Sequence, residues 1–211
     1  MTVAKLEKLN GNSSWCLWEI NESETDLFNA LPAYDQKVFQ KLNISHSGRR
    51  LEWLAARNSI KQLAESLGIA YKGVIKDEHG KPLLKDQSLH VGITHSFPFA
   101  AGVIHRTKAV GIDIEKVQEK LLRLGSRFLK DSELQDADFI LEKLCVYWTA
   151  KETLYKIHGK KRLAFKENLH IEPFHLAKKG TLKGIIEQNE NKNHHQILYI
   201  KFNNFYISIG S

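Results

Sequence analysis

Cysteine is almost absent from this chain: Cys16 and Cys145, far apart and each among apolar neighbours, are the only two in 211 residues. Such residues read as small buried side chains in a reducing compartment, which excludes a disulfide framework and a cysteine-based zinc site. Long hydrophobic runs are lacking as well. No stretch approaches the ~20 apolar residues that cross a bilayer, and none follows the first lysines as a secretory leader would, so a cytoplasmic protein without membrane attachment is expected. Repeats detectable by identity are also missing. The order of elements nevertheless recurs, helices followed by strands, on either side of a boundary near Arg106 to Ala109.

A hydrophobic content of 42% is ordinary for a folded protein with one sizeable core or two small ones. The net charge of +7 and pI near 9.3 favour an acidic or phosphorylated partner. Nucleic acid is disfavoured, because positive charge is scattered and aromatics are not interleaved with Lys and Arg as in a base-stacking platform.

Two stretches carry chemistry. In Val110 to Glu115, Val110, Ile112 and Ile114 alternate with Gly111, Asp113 and Glu115, the period of a half-buried strand with two carboxylates on one face. Same-face positions lie only ~6 to 7 Å apart by Cα, so two ionised carboxylates there repel unless water or a cation intervenes. In the helix predicted over 140–157, Lys151 and Glu152 fall where two neighbouring stripes call for apolar residues. Buried charges are costly unless paired or bound to an ion. Three carboxylates suit Mg²⁺, with Mn²⁺ open, and the flanking Lys151 and Lys156 suit phosphate oxygens. A basic run, Lys156 to Arg162, follows.

Elsewhere the pattern predicts a strand over 14–20, one or two short helices over 24–42 broken at Pro32, and a helix capped by Ser47 and stopped by Gly68. Arg49, Arg50 and Arg57 put cations near the start of that helix, where the dipole also favours an anion. Lys81 sits in a turn between Gly80 and Pro82, and His95 and Ser96 stand at the mouth of the connection between strands 89–94 and 100–105. A basic helical run over 121–129 precedes a helical region capped by Asp131 or Ser132. A meander over 182–187, 197–202 and 205–209 ends the chain, with 189–196 as a polar hairpin tip whose His194 and His195 are too weak a signal for a metal.

Taken together, Val110–Gly111–Ile112–Asp113–Ile114–Glu115 and Trp148–Thr149–Ala150–Lys151–Glu152–Thr153–Leu154–Tyr155–Lys156 resemble the Gly-x-Asp-x-Glu and Trp-x-x-Lys-Glu-x-x-x-Lys blocks of the 4′-phosphopantetheinyl transferase superfamily. Three upstream blocks, Arg49 to Arg57, Gly80–Lys81–Pro82 and Thr94–His95–Ser96, resemble others in the right order. The resemblance spans residues 49–161 and is to the larger, surfactin-synthetase-activating type. It implies an α+β fold of two similar halves related by a pseudo-twofold, each a small, mainly antiparallel sheet packed on helices. Residues 1–107 would then serve the adenosine 3′-phosphate of coenzyme A, and 108–211 the metal and pyrophosphate.

The resemblance further implies transfer of the phosphopantetheine arm of coenzyme A to a serine of an apo carrier protein, for fatty-acid, polyketide or nonribosomal peptide synthesis, with release of adenosine 3′,5′-bisphosphate. Asp113, Glu115 and Glu152 would hold Mg²⁺, and Lys151 and Lys156 would contact the pyrophosphate. Glu152 or a metal-bound water would take the serine proton. Arg49 or Arg50, with Lys81, Thr94 and His95, would hold the 3′-phosphate and its surroundings. An acidic carrier fits the basic balance, and a chain with both halves is expected to be a monomer. A different Mg²⁺-dependent phosphodiester-cleaving enzyme, or a basic nucleic-acid-binding module, are the rival readings.

Overall fold

Two antiparallel sheets, each with one long helix laid on it, organise this computed structural model, which describes residues 2–160 and 163–211. The chain divides into two units, Met1–Val110 and Gly111–Ser211. Both are α+β with an antiparallel sheet. Among the described residues no helix is long and apolar enough to cross a membrane.

The first unit contains β1 (Val3–Asn10), β2 (Ser13–Glu19), α1 (Glu24–Asn29), α2 (Ala33–Lys41), α3 (Ser47–Ser66), β3 (Val74–Lys76), β4 (Pro82–Leu84), β5 (His90–Ser96) and β6 (Phe99–His105). Its sheet order is β1-β2-β6-β5-β4-β3. Pro32 ends one short helix and caps the next, since it fixes φ and brings no N–H of its own. Helix α3 lies on β6, β2 and β5. Its Ile60, Leu63 and Ala64 bury against Cys16, Val91 and Ile104, each large side chain contributing about 1.5 to 3 kcal/mol. Gly102 of β6 lets the helix approach: a Cβ there would collide with the Ile60 side chain and Ser59 Oγ. Arg57 does not join the cations at the helix start. It is buried, 3.5 Å from the fully buried Asp35 and 3.3 Å over the Trp53 ring.

The second unit contains β7 (Gly111–Lys116), α4 (Lys120–Phe128), α5 (Asp131–Ala137), α6 (Leu141–His158), α7 (Phe165–Asn168), β8 (Leu169–Ile171), β9 (Lys179–Gln188), β10 (Asn191–Phe202) and β11 (Phe205–Gly210). Its sheet order is β7-β11-β10-β9-β8. Helix α6 crosses the whole sheet and stops at Gly159, whose φ of 69° only glycine adopts freely. Gly111 plays the part that Gly102 plays in the first unit, because a Cβ there would strike the Thr153 carbonyl oxygen of α6.

Several expectations shift. The cap of α3 is His46, whose Nδ1 accepts from Arg49 N, and Ser47 is already helical; α5 is capped at Lys130 rather than at Asp131 or Ser132. β7 is buried on both faces, not half-buried, since Asp113 is as inaccessible as its apolar neighbours. The polar hairpin tip shrinks to Asn189 and Glu190, both at positive φ, while His194 and His195 lie in the β10 ladder opposite Ile185 and Gly184. Both cysteines are buried and free, and burial pushes the Cys16 thiol up to about 12, so neither is a reactive thiol. The end of the basic run after Lys156, Lys161 and Arg162, lies outside the described residues.

Candidate functional site

The close approach at Gly111 decides what stands over the carboxylates of β7. Along β7, Asp113 and Glu115 share the face that α6 covers: Ser208, the cross-strand partner of Asp113, shares a 2.8 Å hydroxyl contact with Thr149 of α6. On α6, Lys156 donates to Asp113 Oδ1 at 2.7 Å and to the Ile112 carbonyl at 2.9 Å. Glu115 is fixed by Trp148, whose indole N–H donates to Oε1 at 3.3 Å. The indole is held in turn by stacking on Phe165 at 5.6 Å between centroids and by an edge contact with Phe128 at 4.9 Å.

Electrostatics joins Glu152 to this pair. Burial, then Asp113, then Glu115 push its carboxyl up to about 7, against the opposing pull of Lys156. Glu115 is raised as well, by burial first and Asp113 second, with Lys120, the Trp148 hydrogen bond and Lys156 opposing. Three carboxylates therefore share one small region, and the nearest ammonium, Lys156, does not offset them. In donor chemistry the set fits a hard divalent cation, whose charge would relieve the repulsion. In geometry it is not preformed. Among the described residues no three His, Cys, Asp or Glu side chains stand in ligand arrangement, and Lys156 holds one oxygen of Asp113.

Lys151 belongs elsewhere. It is fully buried, and its ammonium donates to Glu133 Oε2 at 2.6 Å, to the Phe128 carbonyl at 2.7 Å and to the Phe165 carbonyl at 3.2 Å. All three N–H donors are spent inside the protein, so none is left for the pyrophosphate contact expected of it. Glu133 is the partner that the sequence pattern did not single out. Its Oε2 also accepts from Lys130 N and its Oε1 from Ile171 N, both near 2.9 Å. The signal was present only locally, as a carboxylate three residues after a helix cap.

In the first unit, a cavity of about 510 Å³ opens at the start of α3, lined by His46, Ser47, Gly48, Arg49, Leu51, Glu52 and Phe97. Of the two adjacent arginines, Arg49 is exposed and faces this cavity. Arg50 turns away, paired through both Nε and Nη2 with Glu24, bonded to the Ile44 carbonyl and lying 4.6 Å over the Phe39 ring. His95 is brought beside the cavity by Glu52, whose Oε2 lies 3.3 Å from its Nδ1 and whose Oε1 accepts Phe97 N at 2.9 Å. Glu52 was not singled out from sequence, although it sits inside the Arg49 to Arg57 block. Thr94 is buried on β5. Lys81 is half-buried after the turn that Asp77 closes by accepting Lys81 N at 2.8 Å, and burial lowers its ammonium, with Asp77 opposing. The candidate residues thus fall into two sets: Asp113, Glu115, Glu152 and Lys156 in the second unit, and Arg49, Lys81, Thr94 and His95 in the first.

Comparison with known proteins finds two likenesses, the first over the stretch that holds β7 and α6. A model of the 4′-phosphopantetheinyl transferase superfamily matches residues 109–209. The 4′-phosphopantetheinyl transferase gsp of Aneurinibacillus migulanus is 28% identical over 184 residues, covering 82% of this chain and 74% of that protein. Both likenesses are to enzymes: the second unit of this chain is similar to the 4′-phosphopantetheinyl transferase superfamily, and most of the chain is similar to one transferase of that name.

Proposed function

We propose that this protein transfers the 4′-phosphopantetheine arm of coenzyme A to a serine hydroxyl of an apo carrier protein, releasing adenosine 3′,5′-bisphosphate in a Mg²⁺-dependent reaction. The observation that carries it is the coupling of Glu152 on α6 with Asp113 and Glu115 on β7, two of the three pushed toward protonation and Lys156 poised on the third. These three carboxylates would hold Mg²⁺ or Mn²⁺, which when bound supplies positive charge to the pyrophosphate oxygens. In the bond change, the serine oxygen forms a P–O bond to the pantetheine-side phosphorus, and the phosphoanhydride bond to the nucleotide breaks.

Glu152 takes the serine proton. Without a cation, burial and then Asp113 hold this carboxyl near neutrality, and a bound cation would draw it down. Lys156, whose side chain is 29% exposed, leaves Asp113 for a pyrophosphate oxygen as charge builds on the leaving nucleotide. Arg49 and His95 at the α3 cavity, with Lys81 and Thr94, hold the adenosine 3′-phosphate, and the helix start adds a favourable dipole. Lys151 keeps a role inside the protein.

An acidic surface around the carrier serine suits the net charge of +7, and encounter should slow as salt rises. We expect a cytoplasmic monomer that needs neither nucleic acid nor membrane. The decisive test is the intact mass of an apo acyl carrier protein incubated with this protein, coenzyme A and Mg²⁺. A gain of one phosphopantetheine, prevented by EDTA, is expected. No gain on acyl, polyketide or peptidyl carriers, together with no coenzyme A binding, would overturn the reading in favour of another phosphodiester-cleaving enzyme.

A further inference from the structure

Glu52 presents a physical puzzle. It lines a cavity at a helix start, beside Arg49 and His95, where an anion is favoured and a carboxylate is the wrong charge. Its side chain is only 14% exposed. Both of its oxygens are used, one on the backbone of Phe97 at 2.9 Å and one on the imidazole of His95 at 3.3 Å. A single carboxylate of α3 therefore reaches both His95 at the end of β5 and Phe97 in the turn that follows it.

We propose that Glu52 is the positioning residue for His95, fixing its ring so that coenzyme A is bound through its 3′-phosphate; this rests on the function proposed above. Glu52 Oε2 lies within ion-pair distance of Nδ1, so that edge of the ring faces the carboxylate and Nε2 is left as the nitrogen that meets a ligand. The second oxygen holds the Phe97 peptide, which fixes the turn that follows the strand carrying His95. The arrangement resembles the oriented histidines of metal and catalytic sites, where a carboxylate behind the ring decides which nitrogen works.

The bland reading makes Glu52 a staple for the hairpin, and the two readings part on which substrate feels its loss. Coenzyme A and dephospho-coenzyme A differ only by the 3′-phosphate. With Glu52→Ala, KM for coenzyme A should rise about tenfold with kcat at saturation within about twofold, the cost of losing a hydrogen bond to a charged group. KM for dephospho-coenzyme A should hardly move. Glu52→Gln keeps an acceptor for Phe97 N but loses the charge, and should show a smaller, equally selective loss at unchanged melting temperature. In His95→Ala, the further change Glu52→Ala should add almost nothing. Equal losses for both coenzymes, or additivity with His95→Ala, would leave Glu52 as a staple and overturn the proposal. Discrimination between the coenzymes that both Glu52 variants retain would overturn it too, with the transfer reading intact. A wild-type protein that binds neither coenzyme overturns the transfer reading, and this role with it.

Discussion

Lys151 and Glu152 are neighbours on one helix and both interrupt its apolar stripes, yet their surroundings are opposite. Lys151 meets one carboxylate and two carbonyls and is fully buried. Its ammonium joins the end of α4, the start of α5 and the start of α7, while Glu133 extends the tie to β8. Glu152 meets two further carboxylates and one ammonium, and it remains partly accessible. The first charge is satisfied by the fold, whereas the second is left in deficit. A buried charge with its partners complete holds structure together; one surrounded by its own sign is set up for a ligand of the other.

The contrast breaks most sharply on activity. Glu152→Gln should reduce transfer by at least about 10³-fold in a carrier-modification assay, since it removes both a metal donor and the proposed base. Its fold should survive, and unaltered transfer would dissolve the distinction drawn between the two positions. Lys151→Met should do the reverse. Leaving Glu133 buried without its counter-charge costs about 3 to 5 kcal/mol, read as a fall in the denaturant midpoint. Adding Glu133→Gln should recover part of that, because the buried charge is removed, although the single amide oxygen can accept from only one of Lys130 N and Ile171 N. If Lys151→Met instead kept full stability and lost only activity, the lysine would belong with the site after all.

A pH series sharpens the same comparison. The carboxyl of Glu152 is raised from 4.5 to about 7 in the folded protein, chiefly by burial and then by Asp113. The folded state therefore binds more protons than the unfolded one between these values, and stability must fall as pH rises through that window. The contribution is fully present below about 4.5 and gone above about 7, of order 1 to 3 kcal/mol. Unfolding measured from pH 4.5 to 7.5 without Mg²⁺ should show this slope, and Glu152→Gln should flatten it. Added Mg²⁺ should restore stability near pH 7.5 in the wild type and much less in the variant.

Much of this was legible in the sequence because it is local. The stripes of α6, the Gly111 to Glu115 alternation and the break at Pro32 each follow from a few neighbouring residues. What escaped is long-range or weakly patterned. A charge in an apolar stripe looks the same whether its partner is a ligand or Glu133, which lies 18 positions away in sequence, so Lys151 was grouped with the pyrophosphate contacts. Strand β1 alternates with Lys5, Glu7 and other polar residues and offers no apolar run, and the three residues of β8 are too few to show a period. Glu52 was hidden because its partners, His95 and Phe97, stand more than forty positions ahead.

The smallest expected effect separates the two arginines that sequence could not. Arg50 is tied to Glu24, to a carbonyl and to the Phe39 ring, all partly exposed, so Arg50→Ala should lower the melting temperature slightly. Its effect on coenzyme A should be no greater than on dephospho-coenzyme A. Arg49, exposed at the α3 cavity, makes no such ties through its side chain among the described contacts. Arg49→Ala should leave the melting temperature within about 1 °C, as a surface change does, and raise KM for coenzyme A several-fold. The pair of measurements is informative in both directions: a selective coenzyme A defect in the Arg50 variant would mean that its Glu24 pairing opens for ligand, and that the anion site reaches further along α3 than the cavity at its start.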